Sequence, residues 1–240
     1  MRRDIHNSEI PALCRACEAR HRGVCGALTP EQLTELSKSA SLVSVTAGTQ
    51  LQGDQTPVEH YANIISGVIK LSKILEDGRQ QIVGLKFAPD LLGHTTEQIS
   101  GVNADTATDA RLCVFPQKAL AKALRNSHDM TSRLHTQSLR ELEEARNWMI
   151  TLGRKTAREK VASFLKLILA AADPERDEVE ANILIELPLN RSEMADFLGL
   201  TLETVSRQMS QLRKNGVIEF SKSQHIMILD IAALNAACGS

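Results

Sequence analysis

Residues 189–216 read LNRSEMADFLGLTLETVSRQMSQLRKNG. Met194, Ala195 and Leu198 recur at helical spacing, so a helix is expected over 191–198. Gly199-Leu200-Thr201 then predicts a three-residue turn, with Gly199 supplying the backbone freedom that a sharp reversal needs. Thr201 is placed to cap a second helix, and Glu203 suits the positive end of that helix. Leu202, Val205, Met209 and Leu212 are expected to bury one face of it. Ala195 is small where two helices would approach closely, Leu200 would plug the turn, and Val205 would close the core. Two short helices at this spacing form a helix-turn-helix.

The outward face of the second helix carries Glu203, Ser206, Arg207, Gln208 and Gln211, with Thr201 at its start. A carboxylate accepts from cytosine N4, a guanidinium donates in a fork to guanine, and a serine hydroxyl bonds to bases or phosphate. Arg213, Lys214 and Lys222 are candidate phosphate contacts. An ordinary helical hairpin would also carry solvated charges. The ordered set Ala–Gly–Leu–Thr–Glu–Ser–Arg argues instead for DNA reading. After Gly216, VIEF and HIMILD read as two strands joined by SKSQ, which makes the expected domain winged.

Upstream, helical character fills 154–172, with Ala157, Val161, Phe164, Leu165 and Ile168 on one face, followed by the acidic linker PERDEVEAN. Residues 117–152 lack Gly and Pro and are expected to be helical. Leu142, Ala145, Met149 and Leu152 fall at 3-4-3 spacing, with Arg140, Glu141, Glu143, Glu144 and Arg146 around them. That is the seam of a helix that packs on another helix, here on a second copy of the chain. From 41 to 115, short apolar runs alternate with turn signals, and Glu76-Asp77-Gly78 marks a hairpin. A small β-barrel or jelly roll follows. Thr29-Pro30 opens a short helix before it, and the first 28 residues read as irregular. The fold class is α+β. Four segments are expected: a cysteine-rich segment over 1–28, a β-roll over 29–116, a central dimerisation helix over 117–153, and a winged helix-turn-helix domain over 154–240.

Lys and Arg number 28 against 29 Asp and Glu, so the net charge is −1 and any nucleic-acid surface must be local. The N-terminus has no apolar signal region, and no stretch reaches the length of a membrane span, so a reducing cytoplasm is expected. There are five cysteines, an odd number that argues against a pure disulfide framework. Cys14, Cys17 and Cys25 form a C-x2-C-x7-C cluster, and Cys113 stands alone near the middle. Four thiolates suit a structural zinc, an iron–sulfur cluster or, as a pair, a dithiol switch. Arg15, Arg20, His21 and Arg22 are expected to lower the pKa values of these thiols, with His21 a bystander rather than a ligand. Cys238 has no partner in sequence. The seven histidines are scattered, with no H-E-x-x-H and no Gly-rich phosphate loop, so no catalytic residues are assigned and an enzyme is not expected.

Taken together, the β-roll, long helix and winged helix resemble the cyclic-AMP receptor/FNR superfamily of bacterial regulators. The E-x-x-S-R pattern of Glu203, Ser206 and Arg207 is most similar to its oxygen-sensing fumarate-and-nitrate-reduction branch. The resemblance implies a 4Fe–4S cluster on Cys14, Cys17, Cys25 and Cys113, with the longer second gap of the variant common in alphaproteobacteria. It further implies a homodimer that forms when the cluster is intact and reads TTGAT-N4-ATCAA in double-stranded DNA. RNA polymerase would be met partly through the 76–78 turn and residues 79–87. The nucleotide-binding relatives carry Arg-Ser or Arg-Thr where this chain reads GVNADTATDARL. Asp105 and Asp109 would repel a phosphate there, so no cyclic nucleotide is expected.

Overall fold

The computed structural model describes residues 10–15, 17–93, 99–172, 182–221 and 224–239. They form two compact units. One comprises the described residues up to Lys73 with Val83–Leu142, the other Ile74–Ile82 with the described residues from Glu143 onward.

In the first unit, the N-terminal segment is less irregular than its sequence suggests. It folds into 3-10 turns at Ala12–Cys14 and Val24–Ala27 around a one-turn helix α1 (Glu18–His21). Helix α2 (Pro30–Ser37) starts as expected: Thr29 caps it and exchanges hydrogen bonds with Gln32, and Pro30 occupies the first turn. Eight strands follow: β1 (Ser41–Val45), β2 (Gln50–Gln52), β3 (His60–Ser66), β4 (Val68–Ile74), β5 (Gln80–Phe87), β6 (Leu91–Leu92), β7 (Asn103–Thr106) and β8 (Ala110–Pro116). Two four-stranded sheets result, ordered β1-β8-β3-β6 and β2-β7-β4-β5, which is the expected β-roll.

The two-residue period of the strands decides which side chains meet. Ala62 and Ile64 of β3 join Ala110 and Leu112 of β8, with Ile69 and Ala104, in one apolar cluster. Their sequence neighbours point the other way. Tyr61 and Phe115, directly paired across the ladder, enter a second cluster with Val24, Cys25, Leu28, Leu33, Leu91, Leu120 and Met130. Each such side chain contributes about 1.5–3 kcal/mol when fully buried. Cys113, two residues before Phe115, therefore lies on the face that the N-terminal segment covers.

Two helices, not one, cover 117–152. Helix α3 (Gln117–Asn126) stops at Ser127, which leaves helical geometry at φ −138°, ψ 105°. Helix α4 (His128–Arg154) starts after it, and the Ser127 hydroxyl accepts from Met130 N at 3.2 Å. A serine side chain competes with the backbone for that bond, which is why Ser favours helix starts over interiors. The next helix likewise begins later than expected. Helix α5 (Ala157–Ala172) opens on Thr156, whose backbone N donates to Glu159 Oε2 at 2.7 Å.

In the second unit, α5 buries Val161, Phe164, Leu165 and Ile168 as the spacing predicts. Strand β9 (Ile183–Glu186) was not expected. Helices α6 (Arg191–Leu198) and α7 (Leu202–Lys214) and strands β10 (Ile218–Phe220) and β11 (His225–Ile228) follow. The sheet is ordered β10-β11-β9, so β9 adds a third strand to the expected two. Helix α8 (Ile231–Ala237), capped by Asp230, closes the chain and is also new. Phe197 joins the helices by ring contacts to Trp148 at 4.6 Å and Phe164 at 5.8 Å. Lys222 and most of the acidic linker lie outside the described residues.

Replacing Ser127 removes the α4 cap. Ser127→Ala should lower stability by about 1 kcal/mol, and Ser127→Thr should retain most of it, as read by urea unfolding.

Candidate functional site

The DNA-reading segment is built by three local constraints. Asn190 and Glu193 form a reciprocal cap on α6, Asn190 N to Glu193 Oε2 at 2.9 Å and Glu193 N to Asn190 Oδ1 at 3.0 Å. Gly199 ends α6 in the left-handed region at φ 59°, and Leu200 N donates to Ala195 O at 3.1 Å. Thr201 then starts α7 by accepting from Thr204 N at 3.2 Å. Val205, Met209 and Leu212 are fully buried, as is Met194 on α6. Leu202 departs from expectation: it is 46% exposed. It occupies the first helical position after the cap, before the helix has turned its apolar face inward.

Glu203, Arg207 and Gln211 are exposed, while Ser206 and Gln208 are half-buried beside them. The Glu203 carboxyl is held below its ordinary range by its own backbone N–H and by the Thr201 side chain, so it stays an anionic acceptor. Gln211 Nε2 is engaged with Asn215 Oδ1 at 3.1 Å. Lys214 is exposed at the end of α7. Arg213, likewise exposed, makes a contact that its sequence does not suggest. It stacks on the Phe220 ring at 5.1 Å, and Arg191 lies over the same ring at 5.5 Å. This pairing clamps the first wing strand to the start of α6 and the end of α7. Sequence reading missed it, because nothing local links residues 191, 213 and 220.

On α4, Leu142 is 47% and Met149 72% exposed, Ala145 is exposed and Leu152 half-buried. Leu139 and Ile150, also exposed, extend the apolar surface of this helix.

The cysteines come from separate elements of the first unit: Cys14 in a 3-10 turn, Cys17 before α1, Cys25 in the second turn and Cys113 on β8. Cys25 is buried in the second apolar cluster, with Cys14 and Cys113 packed against that cluster. Asn63 Nδ2 donates to Cys25 Sγ at 3.2 Å. Burial pushes the Cys25 thiol up to about 12, against the Asn63 hydrogen bond and together with Cys113, Cys17 and Cys14. Burial likewise pushes Cys113 up to about 12, reinforced by Cys17 and Cys14. Cys14 is raised by burial and by Cys17, and Arg20 opposes this. At Cys14 the expected lowering by a basic neighbour is thus present but outweighed by desolvation, and at Cys25 and Cys113 no cation opposes burial. Arg15 instead donates to Ile10 O at 3.1 Å, and His21 and Arg22 are exposed.

The four thiols thus feel one another, yet among the described residues no three His, Cys, Asp or Glu side chains close around a single ion. Neutral thiols pack as small apolar groups. An iron–sulfur core also interposes its own atoms between its ligands, so it demands a wider set than one zinc. The donor set, all thiol and free of carboxylate, fits such a cluster.

The β-roll also encloses a cavity of about 480 Å³. Asp105 and Asp109 do not line it; Asp109 accepts from Ala47 N at 2.9 Å. No arginine is among the described residues that line it. Its lysine, Lys86, is paired with Glu141 at 2.5 Å. Among the described residues, the acidic side chain that lines this cavity is thus Glu141, and not the two aspartates.

Residues 159–237 match the model of the Crp-like helix-turn-helix domain. The chain is 45% identical to a probable transcriptional activator of Rhizobium leguminosarum bv. viciae, covering 97% of this chain and 96% of that one. It is 38% identical to the transcriptional activator protein FnrL of Cereibacter sphaeroides, covering 96% and 95%. Among solved structures it is similar to FixK2 from Bradyrhizobium japonicum, with a TM-score of 0.75 at 30% identity over 84% of this chain and 98% of that one.

Nothing stands within 4 Å of where a Cβ on Gly199 would lie, so only the backbone opposes a side chain there. Gly199→Ala should cost about 1 kcal/mol in thermal unfolding, and Gly199→Asn less, since Asn tolerates the left-handed region.

Proposed function

Because the chain belongs to the CRP/FNR family of DNA-binding transcription regulators, we propose that it is an oxygen-responsive activator, at some promoters a repressor, with a 4Fe–4S cluster on Cys14, Cys17, Cys25 and Cys113. The observation that carries this reading is the meeting of Cys14, Cys25 and Cys113 at one apolar cluster, with Cys17 electrostatically coupled to them. When bound, the cluster supplies an oxygen-labile tie between four thiolates. Cys14, Cys17 and Cys25 come from the N-terminal segment and Cys113 from β8, so ligation at all four fixes that segment to the sheet. No metal-ligating role is needed from His21.

Arg133 carries the state of the segment to α4. Its Nη2 donates to His21 O at 3.4 Å and Arg22 O at 3.3 Å. A Cβ on Gly26 would lie 2.6 Å from Arg133 Nη1, so the segment and the helix approach closely there. Helix α4 bears the exposed Leu139, Leu142, Met149 and Ile150, a surface for a second copy of the chain. In the homodimer, two α7 helices read the halves of a TTGAT-N4-ATCAA-like palindrome, with Glu203, Ser206 and Arg207 at base edges and Lys214 at phosphate. The exposed 76–78 turn, braced by an Asp77–Arg79 ion pair at 2.8 Å, is a contact for RNA polymerase. The cavity takes no cyclic nucleotide, since Glu141 opposes a phosphate. Among the described residues no helix is long and apolar enough to cross a membrane, which agrees with work in the cytoplasm.

Two tests separate the parts of this reading. Protein isolated without air should be brown with bound iron and sulfide, and Cys113→Ala should lose both while its helix-turn-helix stays folded; a colourless protein with one zinc would refute the cluster. Arg207→Ala should cost about 1–3 kcal/mol at the cognate site and relax specificity there, read by titration of labelled duplexes. Equal loss on unrelated DNA would make Arg207 a phosphate contact.

A further inference from the structure

The thiolate site has a neighbour that the ligand set does not explain. Asn63 sits on β3, 1% exposed, on a strand where every residue from Tyr61 to Ile64 is buried. Its Nδ2 donates to Cys25 Sγ at 3.2 Å. It stands directly opposite Cys113 in the antiparallel ladder, so the two side chains share one face of the sheet. Its Oδ1 is buried and has no hydrogen-bond partner among the described residues. A carboxamide left half-satisfied in an apolar setting is unfavourable for folding. Leucine, of nearly the same shape, would fill this place beside Tyr61 and Phe115 without that penalty. The stability of the sheet therefore does not account for the amide, whereas its N–H on the sulfur does.

We propose that Asn63 is a positioning residue of the thiolate site, its amide N–H holding the Cys25 sulfur on the sheet face that carries Cys113. The proposal rests on the cluster reading above. A neutral thiol meets an amide only weakly. A ligated thiolate offers lone pairs alone, so it takes the N–H end of the amide and gains a charge-assisted bond. Hydrogen bonds to ligand sulfurs delocalise their charge and set how readily a cluster is oxidised. Asn63 thereby joins a cysteine of the N-terminal segment to the strand that supplies the fourth ligand, and it helps set how long the site withstands oxygen.

The test compares full-length wild type with N63L and N63D, both nearly isosteric and both lacking the N–H, after loading with iron and sulfide without air. Both variants should load. Each should then lose its visible absorption in air about tenfold faster than wild type. Their Fe–S(Cys) stretching bands in resonance Raman spectra should shift, which a merely structural role would not produce. A folded N63L or N63D with the wild-type lifetime and an unmoved band overturns the role of Asn63 and leaves the cluster standing. Wild type that takes up no iron and sulfide overturns the cluster reading and this inference together. Should one variant fail to fold, judged by circular dichroism, the other decides.

Discussion

The N-terminal cysteines stay on the β-roll because Val24, Cys25 and Leu28 are buried against Tyr61, Phe115, Leu120 and Met130. Among its described residues the segment has 3-10 turns and a one-turn helix, too short to be stable alone. Its order comes from that burial, and so does the meeting of residues almost a hundred positions apart. Strand periodicity does the rest. On β8, Leu112 enters the barrel-side cluster while Cys113 turns towards the segment. A shift of one residue in register would bury Cys113 on the wrong side and end the site.

The same burial gives the site its chemistry. Thiols pushed up to about 12 are neutral and pack quietly. On the proposed reading, a soft metal group would be held by these thiols as thiolates, and Asn63 beside Cys25 and Arg20 near Cys14 would temper the added charge. Such a change moves a distant equilibrium only if the two states of the helix respond differently to it. Arg133 makes the contact through which that response is proposed to pass: it donates to the carbonyls of His21 and Arg22 from α4.

The helix-turn-helix was legible because its determinants are local. Gly199, Thr201 and the Val205–Met209–Leu212 spacing each act within a few residues. The β-roll was legible from alternation and turn residues. The breaks at Ser127 and Thr156 were also local and could have been read, the latter from T-x-x-E. Strand β9 could not, since its four residues are stabilised by β11 some forty positions away. The ring contact of Arg213 was equally hidden, because Phe220 is separated from it in sequence. The thiol pKa directions failed for a related reason: charge is visible in a sequence, desolvation is not. Asn63 was invisible altogether, being a lone amide in a strand until Cys25 is seen beside it.

In the proposed function the state of four thiols governs whether two copies of α4 associate. Sedimentation under nitrogen, repeated after air is admitted, measures this most directly. Wild type should be a dimer that becomes a monomer in air, and a Cys113→Ala chain should be a monomer under both conditions. One unchanging mass for wild type and variant, with and without air, would contradict it.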